Sequence, residues 1–178
     1  MYNYQKRIQP GDIIISYRKD GILSRLIWLF SSKLNLYNGR ASHVGLCVDS
    51  QLVIESLLFK GVVMSNYSTF NPNTSEIIIV RPDFTFPTAF FKSAYVKYLG
   101  RKYGWLQIIA LLFKRVFKKM TVVDWQPNAL ICSELICKIY RYELGIDIFE
   151  NRKCAGIAPV DFLRSSIFRR EYDSRGVK

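Results

Sequence analysis

The stretch 42–56, SHVGLCVDSQLVIES, decides how this chain is read. SHVGLCVD (42–49) and QLVIESLLF (51–59) are two runs of strand composition with a short polar break at Asp49-Ser50, and they predict an antiparallel hairpin. Side chains alternate between faces along a strand, so the loop length decides which residues share a face. A two-residue turn, Asp49-Ser50, pairs Val48 with Gln51 and sends His43 and Glu55 to opposite faces. A three-residue loop, Asp49-Ser50-Gln51, pairs Val48 with Leu52 instead. His43 and Glu55 then become diagonal neighbours on one face, about 7–8 Å apart at Cβ. Gly45 falls opposite Glu55 and leaves room for the carboxylate to reach the ring. Glu55 interrupts an otherwise apolar strand, which is costly without a partner, so the three-residue loop is the expectation. The alternative for Glu55 is an edge or solvent-facing charge.

His43 is the one histidine of the chain. It stands where a strand leaves the polar loop NLYNGRAS, a common place for displayed functional groups. Histidine is the usual activator of a cysteine, with a third group fixing its tautomer. The cysteines are Cys47, Cys132, Cys137 and Cys154. Cys132 lies in ALICSELICKIY (129–140), which reads as a helix capped at Asn128 or just after it. That places Cys132 in the first turn or at the start of the helix. Unpaired N–H groups and the positive dipole end stabilise a thiolate there, and the same N–H groups can hold an oxyanion. Cys137 is deeper in the helix and reads as packing. Cys47 in a strand and Cys154 in a loop read as structural. No pair has CxxC spacing and one histidine cannot complete the common Cys/His patterns, so no metal and no organic cofactor is expected.

The remainder of the chain supports a single α+β domain spanning 1–178. QPGDIIISYRK reads as a turn and a strand, GVVMSNYSTF as a further strand or edge segment, and SEIIIVRP (75–82) as a strand stopped by Pro82. Helical patterns occupy 21–33, 87–100 and 103–119, and APVDFLRSS opens a short helical segment capped near Pro159 to Asp161. The formal net charge is +12, and residues 92–119 carry eight Lys/Arg and no Asp/Glu. Such a field favours an anionic partner: nucleic acid, anionic lipid or acidic wall polymer. MYNYQKRIQPGD has no apolar signal region and no run is long enough to span a bilayer, so a cytoplasmic protein with free thiols is the expectation.

The ordered set GDIIISYR, SHVGLCVD, VIES, YLGRKYGWLQ, ICSELICKIY and APVDFL resembles the permuted NlpC/p60 hydrolases of papain fold, in particular their YiiX-like branch. It runs from about residue 10 to residue 165, with the His, Glu, Cys order of the permuted branch. The resemblance implies a permuted papain-like fold, a small antiparallel sheet packed against the helix bearing the cysteine. It implies Cys132 as nucleophile, His43 as general base and then acid, and Glu55 as the orienting group. Tyr17, just past the Gly11-Asp12 strand, is a candidate to line the oxyanion site. Members so resembled are thiol hydrolases or acyltransferases acting on amide or ester bonds, and need no cofactor. The partner implied is a lipid-linked or peptide substrate. The basic helix at 103–119 adds an anionic membrane surface, against the alternative of a core helix with a solvated tail. Two other functions fit part of the sequence: a cell-wall peptide endopeptidase of the same fold, and a non-catalytic basic module for nucleic acid. The last is disfavoured, because no nucleic-acid motif is present and the aromatics sit in apolar runs.

Overall fold

Ile13, Ile14 and Ile15 are apolar at consecutive positions, so both faces of their strand must be covered. In the computed structural model, which describes residues 8–18, 40–85, 95–106, 108–109 and 128–176, both are. Ile13 and Ile15 join the larger core on one face, and Ile14 joins a smaller cluster on the other. This strand, β1 (Ile13–Arg18), lies inside a six-stranded sheet. The others are β2 (His43–Cys47), β3 (Leu52–Leu57), β4 (Gly61–Asn66), β5 (Ser75–Pro82) and β8 (Phe168–Asp173). Their order is β4-β3-β2-β1-β5-β8, with every neighbouring pair antiparallel. Two short strands, β6 (Lys102–Tyr103) and β7 (Ala129–Leu130), form a separate parallel pair. The helix α1 (Cys132–Lys138) follows β7 directly and runs on into a π-turn at Ile139–Glu143.

The expected α+β class and antiparallel sheet are both present. Leu135, Ile136 and Cys137 of α1 pack with Val44, Leu46 and Ile54 of the sheet, which sets the helix over β2 and β3. The second cluster, on the far face, joins Cys47 and Val53 to Phe70, Ile77 and Ile79. Pro159–Leu163 forms the expected short helical segment, where the Ala158 N–H donates to Asp161 Oδ2 at 2.8 Å.

The cap of α1 is Ile131, among the residues just after Asn128, which puts Cys132 at the helix start; it has no side-chain cap hydrogen bond. Other expectations are corrected. Tyr103 does not open a helix but pairs with Leu130 across β6 and β7, which draws 102–104 alongside the chain entering α1. Residues 105, 106, 108 and 109 are helical, and the rest of the expected 103–119 helix lies outside the described residues. So do the expected helix at 21–33 and the first part of that at 87–100. Finally, not all thiols are free: Cys137 and Cys154 form a disulfide, leaving Cys47 and Cys132 reduced. The 3-10 turn at Cys154–Gly156 packs on α1 and brings the two Cα atoms to 5.4 Å, within bridging range. Among the described residues no helix is long and apolar enough to cross a membrane.

Asp12, fully buried, anchors the start of β1. It accepts from Arg81 Nε at 2.7 Å and Nη2 at 2.9 Å, and from the Gln9 N–H at 2.8 Å. A two-pronged guanidinium contact of this kind is strong where both groups leave water together. Asp12→Ala removes the closer ion pair of Arg81, which keeps Glu171 Oε2 at 3.4 Å, and a loss of about 2 kcal/mol in urea unfolding is expected.

Candidate active site

The β2–β3 loop sets the site. Asp49 Oδ1 accepts the N–H groups of Gln51 and Leu52, both at 2.7 Å, a local turn that fixes a three-residue connection. The Val48 N–H then donates to Leu52 O at 2.9 Å, and Gly45 lies opposite Glu55. His43 and Glu55 therefore share a face, and His43 Nε2 meets Glu55 Oε2 at 2.6 Å. Gly45 serves the register differently from expectation. A Cβ there would stand 2.5 Å from Val53 Cγ1 and 3.0 Å from Phe70 Cζ, so the vacated space seats those side chains rather than the carboxylate. Phe70 in turn stacks on the imidazole, with ring centroids 5.9 Å apart and planes 17° from parallel.

Cys132 is the first residue of α1 and only 5% exposed. Its sulfur lies close enough to the His43 ring to act on its electrostatics. With Nε2 held by Glu55, Nδ1 is the ring nitrogen left for the sulfur. Burial alone would lower the His43 pKa, but the Cys132 sulfur, the hydrogen bonds from both partners and the Glu55 charge outweigh it and push it up from 6.5 to about 10. Glu55 moves the other way. Its burial favours the neutral acid, yet hydrogen bonds from His43 and Ser65 and the charges of His43 and Lys60 hold it below 4.5. The electrostatics thus favour a protonated ring beside an ionised Glu55. All three residues singled out in the sequence come together.

Two neighbours went unrecognised in the sequence. Tyr103 is packed near the sulfur, and burial first and the Cys132 charge second push its phenol up. Gly104 brings it there: a Cβ on Gly104 would lie 3.4 Å from Ile131 N, so 102–104 hugs the chain just ahead of Cys132. A glycine after an aromatic is too common to signal this. Phe70 carries no sequence signal either, because its role depends on the gap at Gly45. Tyr17 is buried in β1 opposite Glu76, with the Arg40 guanidinium 5.6 Å above its ring.

No protein-family model matches the chain, and no curated protein does. Its fold is similar to the crystal structure of the metalloprotein yiiX from Escherichia coli O157:H7, DUF1105, at 14% identity and a TM-score of 0.64, over 93% of this chain and 97% of that one. At this identity the likeness establishes the fold. Among the described residues no group of three His, Cys, Asp or Glu side chains is arranged to hold a metal ion. The site residues here are engaged with one another instead.

Because the chain has one histidine, its imidazole titration is read without assignment. Nitrogen NMR is expected to show a protonated ring up to about pH 10, and a lower pKa in both Glu55→Gln and Cys132→Ser. The sign for stability follows. The raised His43 pKa contributes fully below 6.5 and is lost as pH rises through about 10. The lowered Glu55 pKa contributes above 4.5 and is lost as pH falls below that. The difference in thermal midpoint between the parent and His43→Asn should peak between these limits and shrink on either side.

Proposed function

We propose that the protein is a thiol hydrolase or acyltransferase of permuted papain-like arrangement, cleaving an amide or ester bond through Cys132, His43 and Glu55. The observation that carries this reading is the His43 ring held between Glu55 Oε2, at 2.6 Å, and the Cys132 side chain. The likeness in fold to yiiX is compatible with it.

His43 takes or already holds the Cys132 proton, so that the sulfur acts as a thiolate. The sulfur attacks the substrate carbonyl carbon, and the carbonyl oxygen takes up that charge. Ile131 offers no side-chain oxygen to the first turn of α1, and Ser133 Oγ is committed to Ile157 O at 2.7 Å. The backbone N–H groups at the helix start are thus left to receive the oxyanion. As the tetrahedral species collapses, the carbon–heteroatom bond breaks and His43 gives its proton to the departing amine or alcohol. A thioester on Cys132 remains. Water, or the acceptor in a transfer, then loses a proton to His43 as it attacks the acyl carbon, and the thiolate leaves to regenerate the pair. Glu55 holds Nε2–H throughout and keeps Nδ1 aimed at the sulfur. The substrate class is a lipid or peptide conjugate.

A small haloacetamide should alkylate Cys132 well before Cys47, which is fully buried, and before the disulfide-linked Cys137 and Cys154. Peptide mapping reads the order. His43→Ala is expected to slow Cys132 labelling by about tenfold or more at neutral pH. Mass spectrometry of the protein exposed to acyl-lipid and peptide libraries should trap an adduct on Cys132. Equal reactivity of Cys47 and Cys132, unaffected by His43→Ala, would remove the enzyme reading.

A further inference from the structure

We propose that the tip of the β3–β4 hairpin, with the chain strip it touches, is a docking surface for an anionic lipid bilayer. Phe59 sits at that tip, 95% exposed, with a φ of 73°. A phenylalanine in the left-handed region is sterically disfavoured, and one that buries nothing gains no packing in return. Both costs fall on the same residue, which points to an occupant outside the fold. Leu58 beside it is 37% exposed, and Lys60 is exposed as well.

The next residue, Gly61, ties the tip to a second segment. The Val62 N–H donates to Arg101 O at 2.8 Å and the Gly100 N–H donates to Val62 O at 3.0 Å. A Cβ on Gly61 would lie 2.1 Å from Arg101 O, so the two segments are in direct backbone contact. That second segment presents Leu99 and Trp105, 39% and 53% exposed, around the cations Arg101 and Lys102. Lys60, Arg101 and Lys102 have no salt-bridge partner among the described residues. Glu143, which neighbours Arg101, is held by Lys97 Nζ and Tyr98 OH, both at 2.8 Å. Neither 56–75 nor 84–123 contains an Asp or Glu.

Protruding Phe, Leu and Trp among lysines and arginines match a bilayer interface, where apolar side chains enter below the headgroups and cations remain at their level. Single-stranded nucleic acid would instead need aromatics laid as stacking platforms along a basic groove. The surface does not depend on the reaction proposed above.

The test is co-sedimentation of the full chain with vesicles of phosphatidylcholine alone and of phosphatidylcholine mixed with phosphatidylserine. Binding is expected to the mixed vesicles, weakening as salt rises. Phe59→Asn removes the aromatic at a backbone angle that asparagine tolerates, so its urea midpoint should be equal or higher while vesicle partitioning drops about tenfold or more. The pair Lys60→Glu and Lys102→Glu should abolish the preference for phosphatidylserine. Cys132→Ala should bind vesicles like the parent, which separates this surface from the chemistry. No binding to either vesicle overturns the proposal, as does undiminished binding by a folded Phe59→Asn. Self-association that Phe59→Asn dissociates, or binding that follows duplex DNA in place of lipid, assigns the surface to a different occupant and equally overturns it.

Discussion

A carboxylate buried inside a sheet, with only 4% of its side-chain surface exposed, must be matched or it unfolds its surroundings. Glu55 is matched by the His43 ring at 2.6 Å and by Ser65. Removing either group alone would leave the other in an environment built for a charge it no longer faces. This requirement fixes the hairpin register, since only the pairing of Gly45 with Glu55 brings the two side chains to one face. The register in turn fixes where Phe70 can lie, and Phe70 stacks on the ring that meets Cys132. This polar contact and the turn at Asp49 thus select the same register, which places the aromatic behind the ring and the direction of the imidazole.

The helix supplies the sulfur from the other side, and its own placement has separate supports. Ser56 Oγ donates to Leu130 O at 2.6 Å, tying β3 to the residue two before Cys132. Ser133 Oγ reaches Ile157 O, and the Cys137–Cys154 bridge fastens the same turn one helical turn further on. Tyr140 OH donates to Gly11 O at 2.9 Å and closes the far end of the helix against the start of β1. These contacts are long in sequence and short in space. They hold α1 in position without drawing on the site residues themselves.

The sheet and the meeting of His43 with Glu55 were readable because their signals are local. Alternation marks β2 and β3, Asp49 marks the loop, and a charge within LVIESLLF asks for a partner close by. What escaped reading depends on distant contacts. β8, FRREYD, is mostly charged and gains its place by pairing with β5 at the sheet edge. Tyr103 carries a helical pattern forward from its position, but the parallel contact with Leu130 holds it extended. The disulfide was hidden because a separation of 17 residues has no signature of its own. Of the cap positions from Asn128 onward, Ile131 is the one used because β7 continues through Leu130 and delays the helix.

The order of the elements has a consequence for how the protein is made. Ring and carboxylate lie 12 positions apart in one hairpin, near the front of the chain, whereas the sulfur enters only after β7. A ribosome releases the hairpin first, and contacts this close along the chain close quickly. The ring–carboxylate contact can therefore close before Cys132 has been made, and the sulfur meets it only once α1 packs on the sheet.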